Sequence, residues 1–339
     1  MMNTTVLDAD QLLGLNLTQF ETLLAKNTDH WQTNYRRLLT RWHPDHNTHP
    51  QATAVFIHLR QLYDRIQNPA PTLHFVFENE HGKTFQIHYQ EQEAFELGVV
   101  YRGEHQLVYH FKPEYRDLVK DPEHFLAHLP FQNEAMKKQM QSLLPQIKAI
   151  HWGEQGGIWV IKKDPHLIRL TDLIKHLNAP LDPKHVAWIL SGLYHLGCYL
   201  NFANRVHQAI DVRSVWIEPI KHEVVLLGGW YFSQSKGQAI GVLPRFASDV
   251  AGAKYRDQKQ ALPHLDHALI ARVGKTLLGD ASGQRLFADT PTSMIEALRL
   301  ASNEGALALY QRWKQALLAS FGKPNYVPMT ITSTDIYRR

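Results

Sequence analysis

Cysteine is nearly absent from this sequence: Cys198 stands alone in 339 residues. No internal disulfide can form, which excludes the small disulfide-stapled folds and fits a reducing compartment. Long hydrophobic runs are missing too. Nothing approaches the roughly 20 residues that a membrane-spanning helix needs. The opening MMNTTVLDADQ lacks the basic-then-apolar pattern of a signal peptide. A cytoplasmic protein without membrane association is the expectation. Charge of one sign is scarce: the net charge is +4 with scattered basic residues, so no nucleic-acid surface is demanded. Repeats and low-complexity segments are lacking. Histidine is abundant, yet metal-binding sets are incomplete. His46 and His49, like His264 and His267, stand three apart without a convincing third and fourth ligand. No metal and no cofactor is expected. Cys198 lies in an apolar helical run, where a buried, inert thiol is expected.

What is present is enough apolar residue, 44%, to fill buried cores, and enough length for two or three domains. The stretch from Tyr35 to Asp45 is the most informative. Trp31, Tyr35, Leu38, Leu39 and Trp42 recur at helical spacing as one apolar stripe, with Arg36, Arg37, Thr40 and Arg41 on the opposite side. Pro44 cannot donate a backbone hydrogen bond and pushes His43 out of the helical region, so the helix ends there. A second stripe follows: Ala52, Phe56, Leu59, Tyr63 and Ile66. Two such helices joined by a short polar loop pack antiparallel, leaving His43, Pro44 and Asp45 at an exposed tip.

This arrangement resembles the J-domain of DnaJ-type co-chaperones. The resemblance rests on His43-Pro44-Asp45 between a basic, aromatic-containing helix and a second amphipathic helix. It implies docking to a DnaK-class chaperone and stimulation of its ATP hydrolysis. Asp45 would pair with a cationic group of the partner, and Arg36, Arg37 and Arg41 would meet its acidic surface. Pro44 would fix the loop and His43 would orient it. Such charge-led docking is transient and salt-sensitive. The sequence departs from the family in two places. Asp8-Ala-Asp-Gln-Leu-Leu-Gly-Leu15 looks like the opening helix, but Gly14 is farther than usual from His43. The short fourth helix is missing, because Asn68-Pro-Ala-Pro71 leads into a strand pattern.

Beyond a boundary at Gln67 to Pro71 the periodicity turns from helical to alternating. Leu73–Phe77 and Thr84–Tyr89 read as a hairpin, Phe95–Arg102 and Gln106–Phe111 as a second pair around Gly103, and Ala149–Trp152 and Gly157–Ile161 as a third. One helical region is expected from about Pro122 to Leu144. From Leu170 the pattern is mostly helical. Asp182 to Asn204 is too apolar for a surface helix and should be a buried central one. Two short strands follow, Val215–Ile217 and Val224–Leu227, then helices over Leu265–Leu278 and Gly305–Phe321.

The order of these elements resembles a protein-kinase fold, over about residues 85 to 321. The likeness is most specific at Val206-His-Gln-Ala-Ile-Asp-Val-Arg-Ser-Val-Trp-Ile217, where kinases carry the HRD loop, and at Leu226-Leu-Gly-Gly-Trp230, where they carry DFG. Asp266 resembles the aspartate that supports the catalytic-loop backbone from the central helix. The expected architecture is α+β. It comprises an all-α J-like domain over residues 1–68, a kinase-like N-lobe over 69–165, a C-lobe over 166–321 and a tail over 322–339. The tail, with its Thr-Ile-Thr-Ser-Thr run, would pack along the C-lobe or add a strand to a partner.

Phosphoryl transfer needs magnesium held by acidic and amide groups and an aspartate to orient the attacking hydroxyl. Carried over by the resemblance, His207 is retained, but the catalytic aspartate is Ala209, the asparagine Ser214 and the metal-binding aspartate Gly228. The segment Glu91 to Arg102 keeps only Gly98 of a phosphate loop. The strand cation falls on His110, or on Lys112 of the same face, with Glu134 at the place of the helix glutamate; a solvated Lys112–Glu134 pair is the simplest expectation. Asp211, two positions past the aspartate slot, is the one candidate base, without a second acid to hold a metal. The resemblances together imply a co-chaperone or adaptor. A silent pseudokinase body would bind a client or partner protein. An unconventional kinase or nucleotide sensor using Asp211, and a purely structural adaptor, are the alternatives.

Overall fold

The structure is a computed structural model that describes residues 7–15, 17–25, 31–67, 73–299 and 304–337. It is mixed helix and sheet, in two compact units within residues 1–72 and over Leu73–Ile336. The expected linker at 68–71 lies outside the described residues.

The first unit is all helical: α1 (Ala9–Leu13), α2 (Leu17–Ala25), α3 (Trp31–Arg41) and α4 (Ala52–Gln67). Asp8 and Gln11 form a reciprocal capping box that starts α1. The separation between Gly14 and His43 is taken up by two helices, α2 and α3. Both expected stripes enter one core with Leu12, Phe20 and Leu24, and Tyr35 stacks on Tyr63 at 3.6 Å between ring centres. One member of the expected α4 stripe departs from it. Val55 and Leu62 are fully inside, whereas Phe56 turns toward the loop and meets the His43 ring edge-on at 5.0 Å. Helix α3 ends at Arg41, slightly before the stop set by Pro44, and Asn47 Nδ2 caps the free Arg41 carbonyl at 2.9 Å.

The second unit opens with the hairpin β1 (Leu73–Glu78) and β2 (Thr84–Tyr89). Next come β3 (Glu91–Phe95), β4 (Gly98–Arg102), β5 (Gln106–Phe111), α5 (Arg116–Ala127), α6 (Glu134–Met140), β6 (Gln146–Gly153) and β7 (Gly156–Lys162). The five strands form an antiparallel sheet in the order β3-β4-β5-β7-β6, and the hairpin covers one face through Phe77, Ile87, Val108 and Ile158. Two expectations are corrected. Phe95–Arg102 is two strands turning at Glu96-Leu97, and the single helix over 122–144 is two, broken before the Asn133 cap. Pro122 lies inside α5 rather than at its start. Gly98 has a packing reason: a Cβ there would stand 1.9 Å from the His110 carbonyl oxygen of β5.

The remainder is mainly helical: β8 (Ile168–Arg169), α7 (Leu170–Leu177), α8 (Pro183–Phe202), β9 (Arg205–Val206), β10 (Val215–Glu218), β11 (Glu223–Leu226), β12 (Gln234–Ser235), α9 (Arg245–Gln258), α10 (Pro263–Leu277), α11 (Thr292–Arg299), α12 (Ala306–Phe321) and α13 (Ser333–Ile336). Asp182 caps α8 with Pro183 in its first turn, and eleven of its residues are buried, so α8 is central, packed by α10 and α12. Cys198 is only half-buried, a correction to the expected sealed thiol, although burial raises its pKa. The tail packs on its own unit. Tyr326 donates to the Ile220 carbonyl at 2.9 Å and stacks on His222, which also stacks on Trp188.

Candidate functional sites

In the first unit, α3 and α4 present the His43-Pro44-Asp45 turn outward. The Asp45 side chain is 77% exposed, and His43 Nδ1 lies 3.7 Å from its carboxylate. The turn is ordered by its own backbone. His43 Nδ1 accepts the Asp45 N–H at 3.2 Å, and the His43 carbonyl accepts the N–H groups of His46 and Asn47 at 3.0 and 2.9 Å. Arg36, Arg37 and Arg41 are all exposed. The arrangement offers one carboxylate at a fixed tip beside a cationic helix face.

In the second unit, the loop from His207 to Ser214 is held from below by Asp266. This buried carboxylate accepts the backbone N–H groups of His207 and Gln208, both at 2.7 Å. Gln208 has φ +65°, a left-handed conformation that costs a non-glycine residue about 1–2 kcal/mol. Its side-chain amide donates to the Phe232 carbonyl at 2.8 Å, which with Asp266 fixes the turn. Burial pushes the Asp266 carboxyl up to about 7 despite the two N–H donors. Burial takes the His207 imidazole down to about 3; its Nδ1 accepts the Ala209 N–H at 3.2 Å, and its Nε2 makes no hydrogen bond of ordinary geometry among the described residues.

The remaining loop groups satisfy one another. Ser214 Oγ accepts the Asp211 N–H at 2.9 Å and lies within donating distance of the Ala209 and Asp211 carbonyls. The Asp211 carboxylate accepts Arg213 Nε at 3.0 Å and the Arg213 backbone N–H at 3.1 Å. Gly228 leaves room for a phenol: a Cβ there would come within 2.8 Å of Tyr109 Oη. Ala209 carries no polar side-chain atom, and it lines the same cleft as Asp211, Ser214 and Gly228.

That cleft is small, about 70 Å³, against the several hundred Å³ usual for a pocket that encloses a nucleotide-sized ligand. Aromatic rings occupy the space. Tyr231 lies 4.9 Å from Phe95, 5.3 Å from Tyr109 and 5.5 Å from Phe111 between ring centres. Across the mouth, Glu93 of β3 accepts from Arg102 and from Arg169, each at 2.7 Å, and Arg169 also reaches Asp172. Burial works against ionising Glu93, but the two guanidinium groups hold its carboxyl below the usual range.

Two expected positions need correction. Strand alternation turns Tyr109, not His110 or Lys112, into the cleft. His110 lies under the β1–β2 hairpin against Phe75 and Phe77, with Nε2 3.0 Å from the Gln155 carbonyl. Lys112 is exposed beyond the strand end. Glu134 is exposed and pairs with Lys137 of its own helix at 3.5 Å, not with Lys112. The helix carboxylate that meets the sheet is Glu123, which accepts the indole N–H groups of Trp159 at 2.7 Å and Trp152 at 3.0 Å. Its phase on α5, beside buried Val119 and Leu126, was the available signal. Asp121 of the same helix pairs with buried Arg205 at 2.7 Å, tying α5 to the strand that precedes His207.

No family model matches this chain, and no curated protein is significantly similar to it. Among the described residues no helix is long and apolar enough to cross a membrane, and no cluster of three metal-ligating side chains occurs.

Proposed function

We propose that this protein is a cytoplasmic J-domain co-chaperone whose second unit is a catalytically silent, kinase-like body that binds a client or partner protein. The exposed Asp45 carboxylate carries the reading. It stands on an ordered turn between two packed helices, beside exposed Arg36, Arg37 and Arg41. A free acid next to a cationic face suits a transient, charge-steered encounter with a motor that carries complementary charges.

The kinase-like part of the proposal is supported by order and by contacts. Counted along the chain from β3, the sheet runs first-second-third-fifth-fourth, with helices inserted between the third and fourth strands. Asp266 grips the backbone where the resemblance expects a supporting aspartate. Silence is supported by Ala209, Ser214 and Gly228 at the acid and amide positions, and by the rings that fill the cleft. Asp211 does not favour an unconventional kinase, since Arg213 takes up its carboxylate.

The test is ATP hydrolysis by a DnaK-class chaperone with and without this protein. Wild type should raise the single-turnover rate and Asp45→Asn should not, with helicity unchanged. An Asp45→Asn protein that stimulates like wild type removes the proposal.

A further inference from the structure

We propose that the groove between α10 and α11 is a docking site for an acidic peptide segment of a partner protein. This goes beyond the function proposed above, since neither Asp45 nor the inter-lobe cleft takes part. The groove has a volume of about 380 Å³, an apolar floor that includes Val250, Ala271 and Leu298, and a rim carrying Arg272, Lys275 and Arg299.

The rim cations are positioned rather than trailing in solvent. Arg272 and Lys275, three residues apart, share one face of α10. Arg272 Nη1 donates to the Phe246 carbonyl at 3.0 Å, which fixes its guanidinium. The Lys275 stem runs beneath Gly283, where an added Cβ would meet its Cδ at 3.0 Å. No carboxylate lines the groove among the described residues. Asp280, one position from the groove wall, turns its carboxylate to Ser282 Oγ at 2.8 Å and the Arg285 N–H at 2.8 Å. Partial burial, and then the neighbouring Arg299 charge, hold the Lys275 amine below the ordinary lysine value.

Like charges drawn together repel, and an incoming carboxylate relieves that repulsion. The apolar floor decides the class of ligand. A free inorganic anion would satisfy the rim and leave the half-buried Val250 and Ala271 uncovered, whereas a segment that alternates glutamate with leucine covers both.

The test is fluorescence anisotropy at low salt with the full chain and a labelled Glu/Leu peptide, beside the same peptide with Gln for Glu. The Glu peptide should bind, the Gln peptide should not, and added salt should weaken binding. Lys275→Gln with Arg299→Gln, and separately Lys275→Glu with Arg299→Glu, should weaken it by roughly tenfold or more. Thermal melts of both pairs verify folding. Asp45→Asn should bind as wild type does, so failure here is distinguishable from failure of the co-chaperone reading. The proposal is overturned if both peptides bind alike, if the variants bind as wild type does, or if inorganic phosphate or a duplex oligonucleotide binds more tightly than the Glu peptide.

Discussion

The turn at His43–Asp45 and the loop at His207–Ser214 each begin with a histidine, and they use their polar groups in opposite ways. In the first, the backbone is satisfied locally and the acid is left facing water. In the second, the acids are spent inside: Asp266 on backbone N–H groups, Asp211 on Arg213. A side chain that is ordered and unspent is available to a partner. One consumed by its own loop maintains shape.

The largest effect that would break this contrast is on activity. Asp45→Asn should abolish stimulation of the chaperone ATPase without moving the melting temperature, measured in parallel assays. Asp266→Ala should do the reverse. It strands two buried N–H donors, each costing about 1–3 kcal/mol, so the second unit should melt several degrees lower while stimulation by the intact first unit persists. A loss of stability below about 1 kcal/mol would mean that water or a shifted backbone replaces the carboxylate.

Acid sharpens the comparison further. Folded His207 stays neutral down to about 3 and His267 to about 4, whereas in the unfolded chain both take protons near 6.5. Their contribution to stability is therefore present above 6.5 and is lost as pH falls. Asp266 acts with the opposite sign: its folded carboxyl keeps a proton up to about 7 against 3.8 unfolded, so stability falls as pH rises between those values. Two histidines act against one aspartate, so the urea midpoint of the second unit should fall between pH 7 and pH 4. His207→Gln should flatten that decline.

Smaller effects follow at the degenerate positions. Gly228→Asp should cost about 1–3 kcal/mol through its clash with Tyr109 and should create no magnesium–ATP binding by calorimetry. Lys112→Ala and Glu134→Ala should each change stability by less than about 0.5 kcal/mol, because both side chains are exposed and they do not pair with each other.

The elements were largely legible because their periods are strong. The α3 stripe, the hairpin at 73–89 and the apolar α8 all formed where the residue pattern indicated. Side-chain direction was less legible. A one-residue phase error on β5 placed His110 in the cleft instead of Tyr109, since alternate residues face opposite sides of a sheet. Glu123 was missed in favour of Glu134 because its partners, Trp152 and Trp159, come from strands that follow α5 in the chain. The capture of Asp211 by Arg213 is local, yet nothing in residue order distinguishes that closed pair from an open base.

Glu93 has one more implication. Clasped by Arg102 from the sheet and by Arg169 from the helical part, it works as a rivet across the seam that hinged enzymes leave free to open. If a partner docks on this body as proposed, a clasp of this kind lowers the ordering entropy lost on contact.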